Sequence, residues 1–184
     1  MRARQLHHLS GQLNAVPDLA TVNRMDAAAF VSLLGGVFEH AAWVARAAWP
    51  ERPFASVAEL HAAMMRVVRA APAEARRAFL NGHPELAGPE ARARNLTADS
   101  ASEQGSAGLD RMAAAEAAAF ARLNAAYRAR FGFPFIIAVR GRGRAEILSE
   151  FEARLGRDPA TEEAAALDAV AQITRMRLER LIDG

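Results

Sequence analysis

The sequence predicts an all-α protein: a single compact multi-helix domain with one short extended apolar segment near 133–139. Three observations carry that reading. Most segments space their apolar residues three or four apart and open on a capping side chain, the signature of amphipathic helices. Only one run, "FPFIIAV" at 133–139, has strand-like composition, and no second run exists to pair with it. The 184 residues contain no internal repeat and no linker-like stretch, and a chain of this size buries roughly 70% of its unfolded surface without a metal or disulfide staple.

Residues 1–20 are mixed in character and form an N-terminal extension, loose or briefly helical, ahead of an all-helical domain at 21–184. Asp26 is placed to cap a helix carrying Phe30, Leu33, Leu34 and Val37 on one face. A second helix fits "EHAAWVARAAW" and stops before Pro50. Ser56 and Glu59 have capping-box spacing ahead of a face of Val57, Leu60, Met64, Val67 and Val68. "PAEARRAFLNG" places Pro72 in a first turn and Gly82 just past an end. Short helical turns fit the stretch broken by Gly105 and Gly108, and residues 109–130 read as one long helix on alanine propensity, ended by Gly132. "RAEILSEFEARLG" and the segment from Asp158 and Pro159 to the C-terminus complete a set of seven to nine helices.

Composition excludes several chemistries. All 23 basic residues are arginine, so there is no Schiff-base lysine and no Walker-type phosphate loop. There is no cysteine, hence no thiol nucleophile and no iron–sulfur cluster. The pI of 10.2 reflects arginine, which does not titrate below pH ~12, while the net charge is only +2. Neither nucleic acid nor membrane is therefore expected as a partner, and no apolar run approaches the ~18 residues of a membrane span. A cytoplasmic location is the default expectation.

Four places draw attention. His83 lies in "NGHPE", held between a glycine that ends a helix and a proline that forbids its return. A lone histidine is more often a satisfied surface or core residue; a pre-set corner makes this one a candidate for proton transfer. In "SASEQGSAGL" (100–109), Ser100 and Glu103 again have capping-box spacing, with Gln104 adding a polar fork. Capping and ligand binding are compatible there, because a helix N-terminus favours anions. "FPFIIAV" is either a buried connector or a ligand wall whose unpaired main chain needs partners. Among arginines, "VRGRGR" (139–144) reads as a solvated loop, whereas Arg175 and Arg177 are set among apolar residues, ~200° apart on a helix, so that only one readily faces a given pocket. His40, His61 and the His7–His8 pair lack ligand-spaced partners, so no metal site is expected.

Taken together these stretches resemble the 2-oxo-4-hydroxy-4-carboxy-5-ureidoimidazoline (OHCU) decarboxylase family. The matching residues are His83-Pro84 with Leu86, Ser100 with Glu103-Gln104 and Ala107-Gly108-Leu109, Leu123-Asn124 with Tyr127, and Phe131-Gly132-Phe133-Pro134-Phe135-Ile136-Ile137. Upstream, Phe38-Glu39, Trp43-Val44-Ala45 and Arg52-Pro53-Phe54 also match, so that the resemblance runs over about residues 22–182. One departure is Ala41-Ala42, where the family has Ser-Pro, which bears on a helix start. The resemblance implies a cofactor-free, all-helical, usually dimeric carboxy-lyase of urate (purine) catabolism that forms (S)-allantoin. It implies His83 as catalytic acid/base with Glu103 as partner. It further implies Pro84, Ser100, Gln104 and the main chain of Phe135, Ile136, Ile137, Ala138 and Val139 as substrate-binding, joined by Arg177, or failing that Arg175. An alternative function is a non-catalytic helical module that binds a ureido or purine-derived ligand, or a protein partner. A third is decarboxylation of a related acid.

Overall fold

The computed structural model describes residues 16–93 and 95–184. In chain order the helices are α1 (Leu19–Arg24), α2 (Ala27–Leu34), α3 (Ala42–Ala48), α4 (Val57–Ala70), α5 (Ala73–Asn81), α6 (Pro89–Arg92), α7 (Ala98–Ser106), α8 (Ala114–Phe131), α9 (Arg144–Leu155) and α10 (Pro159–Leu181), with a 3-10 turn at Trp49–Glu51. No strand occurs among the described residues. The all-α expectation holds, and the surplus over seven to nine helices comes from α1 and α6, of 6 and 4 residues, too short for a periodic signal to register.

Side-chain caps set most starts. Asp26 accepts from the Ala29 N–H at 2.8 Å, and Asp158 from that of Thr161 at 3.0 Å. Ser56 Oγ accepts from the Glu59 N–H at 3.1 Å, while Glu59 reaches back to the Ala55 N–H at 2.6 Å. Helix α3 starts at Ala42 without a side-chain cap, the local consequence of alanine at 41 and 42. Two expectations need correcting. Helix α7 is capped by Thr97, whose Oγ accepts from the Ser100 N–H at 3.3 Å, so Ser100 lies inside the helix and is not its cap. The long helix starts at Ala114 rather than 109. Leu109 instead closes α7: its N–H bonds the Gln104 carbonyl at 3.1 Å and that of Gly108 bonds Gly105 at 3.0 Å, with Gly108 left-handed at φ 70°. That is the Schellman pattern, and glycine is the residue that adopts it without strain.

Helix α4 packs against α3 and α10, α2 against α3, and α8 against α9. Phe30, Leu34, Leu60, Met64, Val170 and Leu178 form the centre of the buried cluster. Residues 1–15, including His7 and His8, lie outside the described residues. Within the stretch set apart as an extension, Pro17 to Leu19 pair with the chain's other end: the Asp183 N–H donates to the Pro17 carbonyl at 3.0 Å and the Leu19 N–H to that of Asp183 at 3.2 Å. None of the described helices is long and apolar enough to cross a membrane.

The extended segment 133–139 runs buried between helices and is anchored from behind. Phe135 stacks on Phe151 of α9, with ring centroids 3.9 Å apart and planes 10° from parallel. Arg154 donates to the Ile136 carbonyl at 2.8 Å and to Glu162 of α10 at 2.8 Å. Tyr127 of α8 donates its hydroxyl to the same Glu162 carboxylate. Burial, then the Glu162 carboxylate, holds this phenol well above its ordinary pKa, so it remains a donor throughout the physiological range. Tyr127→Phe removes one hydrogen bond to a buried charge and nothing else. A loss of about 1.5–3 kcal/mol in unfolding free energy is expected by denaturant titration.

Candidate active site

Helix α5 ends where Gly82 follows Asn81, and Pro84 keeps the chain from resuming it. The corner holds His83 by its own N–H, which bonds the Leu80 carbonyl at 3.1 Å, and by ring Nδ1, 3.2 Å from the Phe79 carbonyl. A carbonyl only accepts, so Nδ1 carries the hydrogen and Nε2 keeps its lone pair. The ring also meets the Phe79 ring edge-on, centroids 5.1 Å apart. Burial lowers the His83 pKa from 6.5, opposed by the charge of Glu39. The imidazole is therefore neutral at pH 7, as a base requires.

Because Thr97 begins α7, Ser100, Glu103 and Gln104 share one helix face at i, i+3 and i+4. Gln104 Oε1 accepts from the Ala87 N–H at 2.9 Å, which ties the helix to the loop after Pro84. Glu103 receives two bonds from Arg177 of α10, from Nε at 2.9 Å and Nη2 at 2.7 Å, the fork geometry that suits guanidinium to carboxylate. Arg177 Nη1 donates to the Val37 carbonyl at 3.1 Å. Arg175 points elsewhere and pairs with Glu179 at 2.9 Å on the exposed side. Of the two arginines, Arg177 is the one in the pocket.

A residue that sequence reasoning assigned no role completes the cluster. Glu39, between α2 and α3, accepts from Arg177 Nη2 at 2.8 Å, from the Thr97 hydroxyl at 2.9 Å and from the Ser100 hydroxyl. Burial would raise its pKa, but the Ser100 hydrogen bond and the Arg177 charge outweigh that and hold it low. For Arg177 the balance runs likewise: burial opposes its charge, and Glu103 and Glu39 more than restore it. The one signal for it in the sequence is the Phe38-Glu39 pair of the family resemblance; its burial and its partners come from the fold.

One cavity gathers His83, Pro84, Ser100, Glu103, Gln104 and Arg177, with Phe135, Ile136, Ile137 and Val139 as its opposite wall. Glu39, Leu86 and Ile173 join them. Ala138 is buried in the same stretch, but its short side chain does not line the cavity. Among the described residues, the N–H groups of Phe135 to Val139 and the carbonyls of Phe135, Ile137 and Ala138 make no protein hydrogen bond. Buried main-chain groups in that state call for a ligand or water. The remaining histidines are unremarkable: His40 is exposed, and His61 is buried with Nε2 2.9 Å from the Thr174 hydroxyl. In the "VRGRGR" loop, Arg142 pairs with Glu146 and Arg144 with Glu116.

The profile of the OHCU decarboxylase family matches residues 23–179. The chain belongs to that family. The 2-oxo-4-hydroxy-4-carboxy-5-ureidoimidazoline decarboxylase of Amia calva is 39% identical over 90% of this chain and 94% of its own. That of Haloferax volcanii is 41% identical over 87% of this chain and 93% of its own. A crystal structure of (S)-allantoin synthase superposes with a TM-score of 0.73 at 29% identity, over 90% of this chain and 54% of that one. The family match spans every element that lines the cavity, from Glu39 ahead of α3 to Arg177 on α10.

Proposed function

We propose that the chain decarboxylates 2-oxo-4-hydroxy-4-carboxy-5-ureidoimidazoline to (S)-allantoin in urate degradation. The observation that carries this is the convergence, on one cavity, of a neutral imidazole, a carboxylate clasped by arginine and a stretch of unpaired main chain.

The substrate carries a hydroxyl and a carboxylate on one ring carbon, beside a ring C=N. Breaking the carbon–carboxylate bond releases carbon dioxide and leaves its electron pair to form a ring C=C. The C=N pair moves to nitrogen, which takes up a proton. The enol so formed loses its hydroxyl proton to become the product carbonyl, and the neighbouring carbon gains a proton on one face. The ring itself receives the electrons, so the reaction calls on no cofactor. His83 Nε2, with its lone pair free, accepts the hydroxyl proton and is the group able to return one. Glu103 is its partner across the cavity. Ser100, Gln104 and Pro84 shape one wall, and the amides of Phe135 to Val139 match the amide-like edges of the ring and ureido group. Arg177, whose charge Glu103 and Glu39 already offset, offers the departing carboxylate a hydrogen-bond donor. Of its five N–H donors, one on Nη1 is left over by the bonds to Glu103, Glu39 and Val37. The same reading carries a homodimer in the cytoplasm, the former checked by light scattering on the purified chain.

The test is decay of freshly generated substrate, followed by ultraviolet absorbance with circular dichroism of the product. Faster decay than the spontaneous reaction, with one enantiomer formed, is expected. Racemic allantoin at the uncatalysed rate overturns the proposal; ligand-induced stabilisation without turnover would then favour a binding module.

A further inference from the structure

The pocket holds more negative charge than its arginine needs. Glu103 already satisfies the fork of Arg177 with two bonds of 2.9 and 2.7 Å. Glu39 adds a second buried carboxylate on the same guanidinium, so that with a neutral imidazole the cluster carries a formal charge of −1. Burying an extra charge costs several kcal/mol unless something uses it. The backbone is also strained in its favour. Glu39 has φ 55°, in the left-handed region that non-glycine residues avoid, at a cost of about 1–3 kcal/mol. The same carboxylate receives the Ser100 and Thr97 hydroxyls, and so connects the loop before α3 to both α7 and α10.

We propose that Glu39 is a positioning residue for the reaction: its carboxylate fixes Arg177 and Ser100 at the substrate's carboxylate end and sets the charge felt by His83. The inference rests on the decarboxylase reading. A second cavity shares Glu39, His83 and Pro84 with the first, which places Glu39 and the imidazole in one partition between them. The charged and titratable groups around His83 are Glu39 from the loop before α3, Glu103 from α7, Arg177 from α10, and His40 and Glu90, which line the second cavity. Of these, Glu39 favours the protonated ring and Arg177 opposes it.

Glu39→Gln tests this, because the amide oxygen still accepts from Ser100 and Arg177, the amide nitrogen can donate to the Thr97 hydroxyl, the charge is lost, and Arg177 remains paired with Glu103. The mutant is expected to fold, with a KM no higher than wild type, since one negative charge facing an anionic substrate has gone. Its kcat is expected to fall ~10–10²-fold, the scale set by misplacing reacting groups by about 1 Å. The acid limb of its kcat/KM profile is expected at lower pH than in wild type, because the charge that favours imidazolium has been removed. An NMR titration of the His83 ring reads the same displacement without turnover. Wild-type kcat and an unmoved limb overturn the inference, and so does a lowered kcat with an unmoved limb, which is what a merely structural carboxylate gives. Should Glu39→Gln fail to fold, Glu39→Asp keeps the charge but shortens the reach. Because the shorter arm draws that charge back from the imidazole, a lowered kcat with the acid limb at lower pH is then expected, and an unmoved limb or an unchanged kcat overturns the proposal. Wild-type turnover is the shared control: its absence removes the decarboxylase reading, while its presence with an unaffected variant removes only this inference.

Discussion

His83→Ala is expected to lower kcat/KM by about 10²–10⁴-fold, the usual worth of a positioned acid or base. The fold should survive. The ring makes one bond, to the Phe79 carbonyl, and one edge contact with the Phe79 ring, while the corner itself is set by Gly82 and Pro84. Thermal unfolding near the wild-type midpoint together with loss of turnover is the expected pair of results. Wild-type turnover would remove His83 from the chemistry. The pH dependence adds a second reading. Folded His83 has a pKa below 6.5 and the unfolded ring has the ordinary value, so between the two the unfolded chain binds the extra proton. Its contribution to stability is therefore complete above 6.5 and is lost as pH falls through that window. His61, also lowered by burial, contributes with the same sign. Stability of His83→Ala should accordingly fall less steeply on acidification than that of wild type, but should not become flat.

Arg177→Met carries the largest expected effect on stability. The arginine side chain is 3% exposed and faces the Glu39 and Glu103 side chains at 2% and 11%. Its removal leaves two buried carboxylates with no cation between them. Breaking one side of such a pair costs about 3–5 kcal/mol. Denaturant unfolding should report a loss of that size. Arg177→Met combined with Glu39→Gln should recover part of it, because one of the orphaned charges is then gone. Strict additivity of the two substitutions would mean the groups are uncoupled, against the 2.8 Å contact between them.

Local chemistry made much of the architecture legible. Asp26, Ser56 and Asp158 act within three residues of themselves, and each starts the helix that the sequence implies. Thr97 and Ser100 are both good caps three residues apart. The helix begins at the earlier one because nothing between them breaks it, and Ser100 is thereby freed to face the pocket. The start of α8 is not legible in the sequence, because Leu109 and Met112 fit a helical period while Gly108 commits the chain to ending α7. The His83 corner, the polar fork of Glu103 and Gln104 and the unpartnered 133–139 run stand out in the sequence itself, and the resemblance implies a common role for them. The pairing of Arg177 with Glu39 spans 138 positions, and no periodicity links them. The same holds for Arg154, which reads as an ordinary polar residue near the end of α9 until Glu162 and the Ile136 carbonyl are seen around it.

A wall built from peptide groups has no side chain to lose. Exchanging Ile136 or Ile137 for another aliphatic residue alters its volume yet leaves every donor and acceptor in place. The hydrogen-bonding code of that surface is thus the same for any sequence that keeps the chain on its course. What keeps it there is Arg154 and Phe151 on the far side. On the proposed reading, mutations that abolish recognition along this edge will therefore map to the buttress behind it, at positions away from the cavity.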